Sequence, residues 1–152
     1  VGLIADLSRA SVAIDTSIFI YFIEEHPRFL PLLLPLFEQA DRGKRELVTS
    51  AITLLEVLVV PYRAGDVQLA DRYELLLTRS RGIRMVGITR EQLRAAALLR
   101  AVTAVKTPDA LQLVCAVGTG CKIFLTNHRE SPPISGLRVI QLSSYVSFSE
   151  QH

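Results

Sequence analysis

Three acidic side chains stand where a chain building only a core would not put them. Asp15 directly follows a short β-branched run at residues 11–14, so a carboxylate sits at the end of a predicted strand. Glu56 interrupts the apolar stretch formed by Leu54-Leu55 and Val57-Leu58-Val59-Val60. A carboxylate inside so apolar a helix either snorkels to the surface or is buried beside a cation. Asp109 falls in the first turn of a helix opened by Thr107-Pro108, where the helix dipole favours its ionised form. Taken singly, each has an ordinary explanation. Asp15 reads as a turn or capping residue, Asp109 as a complement to the helix dipole, and Glu56 as one solvated position. Taken together they point elsewhere. Converging carboxylates repel, and a site that tolerates them normally holds a cation. Oxygen donors without paired His or Cys favour Mg²⁺ or Mn²⁺ over zinc.

The elements that must position these acids follow from apolar periodicity and from capping residues. Strands are predicted at residues 11–14, 46–49, 83–86, 122–125 and 137–142. Asp15-Thr16-Ser17 supplies capping oxygens for a helix that His26-Pro27 ends. Helical spacing resumes over residues 27–42, with Pro35 as a kink and Gly43 as the close. Ser50 is the predicted cap of the Glu56 helix, and Pro61 its stop. Gly65-Asp66 opens another helix, with Leu69, Tyr73 and Leu76 on one face. Thr89-Arg90-Glu91-Gln92 reads as a capping box for a helix to about residue 102. Thr107 is the expected cap and Pro108 the first turn of a helix ending near Gly118 or Gly120. Strands separated by helices imply parallel pairing, with helices on both faces of the sheet. Ligands of such sheets bind at the carboxyl ends of the strands.

Composition sets the outer bounds. A chain of 152 residues fits one domain with a sizeable core. Its apolar fraction of 49% and mean hydropathy of +0.32 exceed what one core absorbs, which predicts burial against a partner. The longest apolar candidate for a span, residues 29–37, is too short and carries Pro31 and Pro35. Asp6 and Arg9 interrupt the N-terminal segment, so no secretory leader is read there and the expected location is the cytoplasm. A net charge of +2 permits contact with nucleic acid without arguing for it. Cys115 and Cys121 match no zinc spacing and read as buried, reduced thiols. There is no GxGxxG and no glycine-rich loop ending in Lys-Ser or Lys-Thr, which speaks against a dinucleotide or P-loop site. Asp15-Thr16-Ser17 also lacks the second Asp that a phosphoaspartate hydrolase would place two residues on.

Four segments in order carry a more specific signal. They are Ala13-Ile14-Asp15-Thr16-Ser17, then Thr49-Ser50-Ala51 leading to Leu55-Glu56-Val57, then Thr107-Pro108-Asp109-Ala110-Leu111-Gln112-Leu113, and finally Phe124-Leu125-Thr126-Asn127. Through nearly its whole length the chain resembles the PIN-domain family, and within it the VapC-type ribonuclease toxins. The resemblance implies a three-layer α/β/α sandwich around a parallel sheet of about five strands; with no linker or repeat in the chain, residues 1–147 read as one domain and 148–152 as a C-terminal tail. It also implies a metal-dependent endonuclease site of four acids, of which Asp15, Glu56 and Asp109 supply three. The fourth position, after the Thr-Asn pair, is His128. An imidazole there is either a ligand suited to Mn²⁺ more than Mg²⁺ or a solvated loop residue.

The chemistry so implied is in-line attack of an activated water on an RNA phosphodiester. Asp15 and Asp109 would hold the metal, and Glu56 would bind through water or orient the nucleophile. Thr16, Ser17, Thr126 and Asn127 are candidates for fixing carboxylate rotamers, with Ser17 and Thr126 reading equally well as ordinary caps. Lys106 and Arg129, and the cluster Arg79, Arg81 and Arg84, are candidate phosphate contacts. A toxin of this type also implies an antitoxin protein and a homodimer, with the apolar segment 27–37 as the candidate contact face. The competing expectation keeps the fold and loses the cutting: a weakened or inactive PIN-like module that binds RNA or a partner.

Overall fold

Apolar side chains alternate between two cores along five short strands, and this alternation organises the molecule. A computed structural model describes residues 2–129 and 131–146, so the predicted tail at 148–152 lies outside the described residues. The strands are β1 (Val12–Ile14), β2 (Leu47–Ser50), β3 (Ile83–Val86), β4 (Ile123–Thr126) and β5 (Arg138–Gln141). They form one parallel sheet in the order β3-β2-β1-β4-β5. In β1, Val12 pairs with Leu47 on one side and with Ile123 on the other. Every residue of β1, β2 and β4 is buried, whereas the edge strands β3 and β5 are partly exposed. Such central strands read as continuous apolar runs because both of their faces are covered.

One core takes Val12, Ile14, Leu47, Ile123, Leu125 and Ile140. Against them pack α1 (Leu3–Leu7), α2 (Thr16–Ile23), α3 (Leu30–Asp41), α4 (Ile52–Ala64) and α5 (Val67–Arg79). Within it Phe37 meets Phe19 edge-on at 5.9 Å and stacks on Phe22. The opposite core takes Ala13, Val48 and Phe124 against α6 (Arg90–Val102) and α7 (Thr107–Gly118). The three-layer sandwich expected from the sequence is therefore present. No helix of the described residues is long and apolar enough to cross a membrane.

Local departures have physical causes. Pro61 does not stop its helix: α4 runs on to Ala64, with Pro61 buried inside it. A proline forfeits only its own N–H bond and the contact at the preceding turn, and packing of α4 on α5 offsets that loss. Gly65, at φ +67°, ends the helix instead. Helix α7 begins one residue early, so Lys106 occupies the cap and Thr107 makes no capping bond. The Ser50 hydroxyl does accept from the N–H of Ile52, although Ala51 is the formal cap of α4. The capping box at Thr89 is half made: Thr89 accepts from Gln92 N–H, while Gln92 Oε1 finds no partner among the described residues. At Gly82, φ is +80° and an added Cβ would lie 2.2 Å from the Ala40 carbonyl oxygen, so the turn into β3 requires glycine.

Candidate metal centre

Strand order reverses at β1, which lies between β2 and β4, and a crevice opens at the carboxyl ends of β1 and β4. Asp15 occupies it. As the cap of α2, its Oδ1 accepts from Thr16 N–H at 2.7 Å. Its Oδ2 accepts from the Thr126 hydroxyl, also at 2.7 Å, and its own N–H continues the ladder to Leu125 O. The residue is only 8% exposed. Burial raises its pKa and outweighs the two hydrogen bonds that favour the carboxylate; the nearby charge of Asp109 raises it further.

Glu56 reaches the same crevice from α4. Half-buried, it accepts at Oε1 from the Thr16 hydroxyl at 2.7 Å. A hydroxyl, then, and not a cation, meets the carboxylate that interrupted an apolar helix. Burial again raises its pKa most, and the charges of Asp15 and Asp109 add to the shift. Asp109, in the first turn of α7, lies with Oδ2 3.1 Å from Nδ1 of His128. The backbone N–H of His128 donates to Thr126 Oγ1 at 3.0 Å. One threonine hydroxyl therefore links Asp15 to the residue that pairs with Asp109.

Beneath the carboxylates runs a buried polar relay. Gln112 sits one turn beyond Asp109 on α7 and is 2% exposed. Its Nε2 donates to Thr53 Oγ1 at 2.7 Å and, more weakly, to Thr16 Oγ1 at 3.3 Å; its Oε1 accepts from Ser50 N–H. The Thr49 and Thr53 hydroxyls are 2.7 Å apart, and Thr49 donates to Ile14 O. With that proton committed, Thr53 donates to Thr49, and the relay runs Gln112, Thr53, Thr49, Ile14. It ties α7, α4, β2 and β1 together next to Asp15. Thr49, Thr53 and Gln112 received no role from sequence. Their signal was polarity at positions where both neighbours pack inward.

The other predicted residues divide. Thr16 and Thr126 hold carboxylates directly. Ser17 Oγ is buried with no partner among the described residues. Asn127 turns away, donating to Tyr21 and accepting from Ser143 N–H. Lys106 and Arg129 are exposed close to Asp109 and His128 in the chain. Arg79 and Arg81 precede β3 and so lie toward the opposite end of the sheet, and Arg84 pairs with Glu46. The two cysteines are buried and apart from the crevice, with the Cys115 thiol pushed up to about 11 by burial.

The donor set fits a hard divalent ion: carboxylates that disturb one another's ionisation, no thiol, and no Lys or Arg paired to them among the described residues. Among those residues no three acid, imidazole or thiol groups are drawn together into a ready cage. Hydroxyls and His128 engage the carboxylates instead.

A model of the PIN domain matches residues 12–130. No curated protein matches the chain. Among solved structures, a chain of the VapBC2 complex of Rickettsia felis, bound to a promoter DNA fragment, superposes with a TM-score of 0.66 at 18% identity over 86% of this chain and 97% of that one. A chain of a toxin–antitoxin complex from Klebsiella pneumoniae gives 0.64 at 21% identity, over 87% and 98%. VapC20 of Mycobacterium tuberculosis, a toxin that cleaves the sarcin–ricin loop, gives 0.62 at 15% identity, over 75% and 87%.

The raised pKa values make a stability prediction. A folded state that holds carboxyl protons more tightly than the unfolded chain loses stability as pH rises out of the ordinary carboxylate range and through the raised values. In metal-free buffer at neutral pH, Asp15→Asn should therefore melt higher than the unaltered protein. A gain of about 2–4 °C corresponds to roughly 1 kcal/mol in a domain of this size. Calorimetric melts should show the gap closing on acidification; a lower melting temperature for Asp15→Asn at neutral pH would contradict the assignment.

Proposed function

The chain belongs to the PIN-domain family, and from that premise we propose that it is a metal-dependent endoribonuclease, the toxin of a toxin–antitoxin pair. The observation that carries this reading is the convergence of Asp15, Glu56 and Asp109 on one crevice at the switch point of the sheet, with Thr126 and Thr16 donating to Asp15 and Glu56 and His128 lying 3.1 Å from Asp109. Asp15 and Asp109 would hold Mg²⁺ or Mn²⁺. A bound divalent ion supplies charge neutralisation at the phosphodiester and makes water a better nucleophile near neutral pH. Glu56, more exposed than Asp15, orients the attacking water in line with the scissile bond. Thr126 and Thr16 fix the rotamers of Asp15 and Glu56. Lys106 and Arg129, both exposed, would meet flanking phosphates, contacts that position RNA without reading its bases. A single-stranded or looped RNA suits such a crevice better than a duplex.

A second reading has its own observation. Asp109 is already paired with His128 at 3.1 Å, where the family pattern would give a fourth acid. On this reading the protein binds RNA or a partner and cuts weakly or not at all.

The partners follow from two apolar surfaces. Segment 27–37 presents Leu34, 43% exposed, beside a 240 Å³ cavity walled by Phe22, Phe37 and Leu76, with Glu38, Asp41 and Arg81 lining it too. Charges beside an apolar groove confer partner specificity, so the antitoxin is assigned here. Helices α6 and α7 expose Leu98 and Val102 along a 510 Å³ crevice that has no charged lining. A twofold contact sets identical groups against each other, and an uncharged face avoids like-charge repulsion, so this face is assigned to a second copy.

Cleavage of an RNA oligonucleotide with Mn²⁺ or Mg²⁺ should fall at least about a hundredfold in Asp109→Asn, the rate equivalent of the several kcal/mol a bound cation contributes. Absence of metal-dependent cleavage by the unaltered protein would leave the binding module as the better account. Light scattering at micromolar concentration should give the mass of two chains, and one chain after Leu98→Glu with Val102→Glu. A monodisperse monomer from the unaltered protein would remove the dimer.

A further inference from the structure

We infer that His128 takes the fourth ligand position itself and biases the centre toward Mn²⁺ over Mg²⁺. This rests on the reading above that Asp15 and Asp109 hold a divalent ion.

Three observations carry it. The first is a distance. His128 Nδ1 and Asp109 Oδ2 are 3.1 Å apart. Two neighbouring ligands of one octahedral ion with bonds of about 2.1 Å are separated by about 3 Å. The pair therefore has the spacing that adjacent ligands of one ion would have, and turning the two side chains toward a common ion is what binding would require. The second is the anchoring of His128. Its N–H donates to Thr126 Oγ1, and that hydroxyl donates to Asp15 Oδ2. The His128 carbonyl also accepts from Gln141 Nε2. His128 is thus fixed from both sides, and its ring faces the carboxylate of α7 from the end of β4. The third is exposure: the paired side chains are 45% and 27% exposed. A contact this open to water is weak, and a divalent ion displaces it readily.

The consequence lies in ligand chemistry. Imidazole is a good donor to Mn²⁺ and to the later first-row ions, while Mg²⁺ prefers oxygen and gives up water reluctantly. Exchanging a carboxylate for an imidazole also removes one negative charge, which weakens the attraction for a second ion. His128 therefore acts as a specificity-determining ligand, and the centre holds one ion.

Titration calorimetry of the whole chain with Mn²⁺ and with Mg²⁺, on the unaltered protein, His128→Asp and His128→Ala, tests this. Because Mn²⁺ binds many sites better than Mg²⁺, the change in preference is decisive, not the preference itself. The Mn²⁺-to-Mg²⁺ affinity ratio should fall about tenfold or more in His128→Asp, chiefly through tighter Mg²⁺ binding. His128→Ala should lose Mn²⁺ affinity by about tenfold or more. Pulsed electron paramagnetic resonance of the Mn²⁺ complex should show directly bound nitrogen that disappears in His128→Ala. An unchanged ratio and no nitrogen coupling would overturn the inference and leave the carboxylate centre standing. Binding that appears only in His128→Asp would overturn it too, by making His128 a plug. No binding in any variant would sink the carboxylate centre as well.

Discussion

Placing ionised carboxylates close together and out of water is the constraint around which the rest of this molecule is arranged. Asp15 is almost wholly buried, Glu56 is half-buried, and Asp109 raises the proton affinity of both. No Lys or Arg among the described residues offsets them. Carboxylates grouped in this way lower the stability of the empty fold, as functional sites commonly do. What keeps it in place is neutral: the Thr126 hydroxyl on Asp15, the Thr16 hydroxyl on Glu56, and the Gln112–Thr53–Thr49 relay that locks the surrounding elements. Each of these groups donates without contributing positive charge. The site consequently keeps its affinity for a cation.

The sheet supplies the geometry. With all strands parallel and the order reversing at β1, the carboxyl ends of β1 and β4 bring Asp15 and Thr126 within one hydrogen bond although 111 residues separate them. The amino ends of α2 and α7 then point two dipoles at the crevice, one through the cap Asp15 and one through the first-turn Asp109. Both cores have to close for this to happen. Val12 and Ile14 seat β1 on one helical layer while Ala13 faces the other. A slip of one residue would turn Asp15 out of the crevice.

Much of this was legible in the sequence, and the parts that were not share a cause. Strand positions were readable because buried parallel strands are short apolar runs with punctuated ends, and residues 83–86 matched to the residue. The three acids stood out in the sequence only as a set, since each alone has an ordinary explanation, and the structure brings them close enough for Asp109 to act on the other two. Pro61 misled because tertiary packing on α5 overrode a local rule. Thr107 misled because a helix start can shift by one residue without changing its pattern. The relay through Gln112 and the Asp109–His128 contact were invisible for another reason. They join residues far apart in the chain, or across a loop, through side-chain rotamers that no local spacing encodes. Polar residues in a buried stretch announce that a partner exists; they do not say which.

The central claim is that these carboxylates share one divalent ion. The most direct measurement is anomalous diffraction at the manganese edge from crystals of the full chain soaked in Mn²⁺. The account predicts a single peak in the crevice within bonding distance of Asp15 and Asp109, with Glu56 turned toward it and the ion taking the place of the direct Asp109–His128 contact. An empty crevice at saturating Mn²⁺, or a peak held by residues elsewhere on the surface, would contradict it.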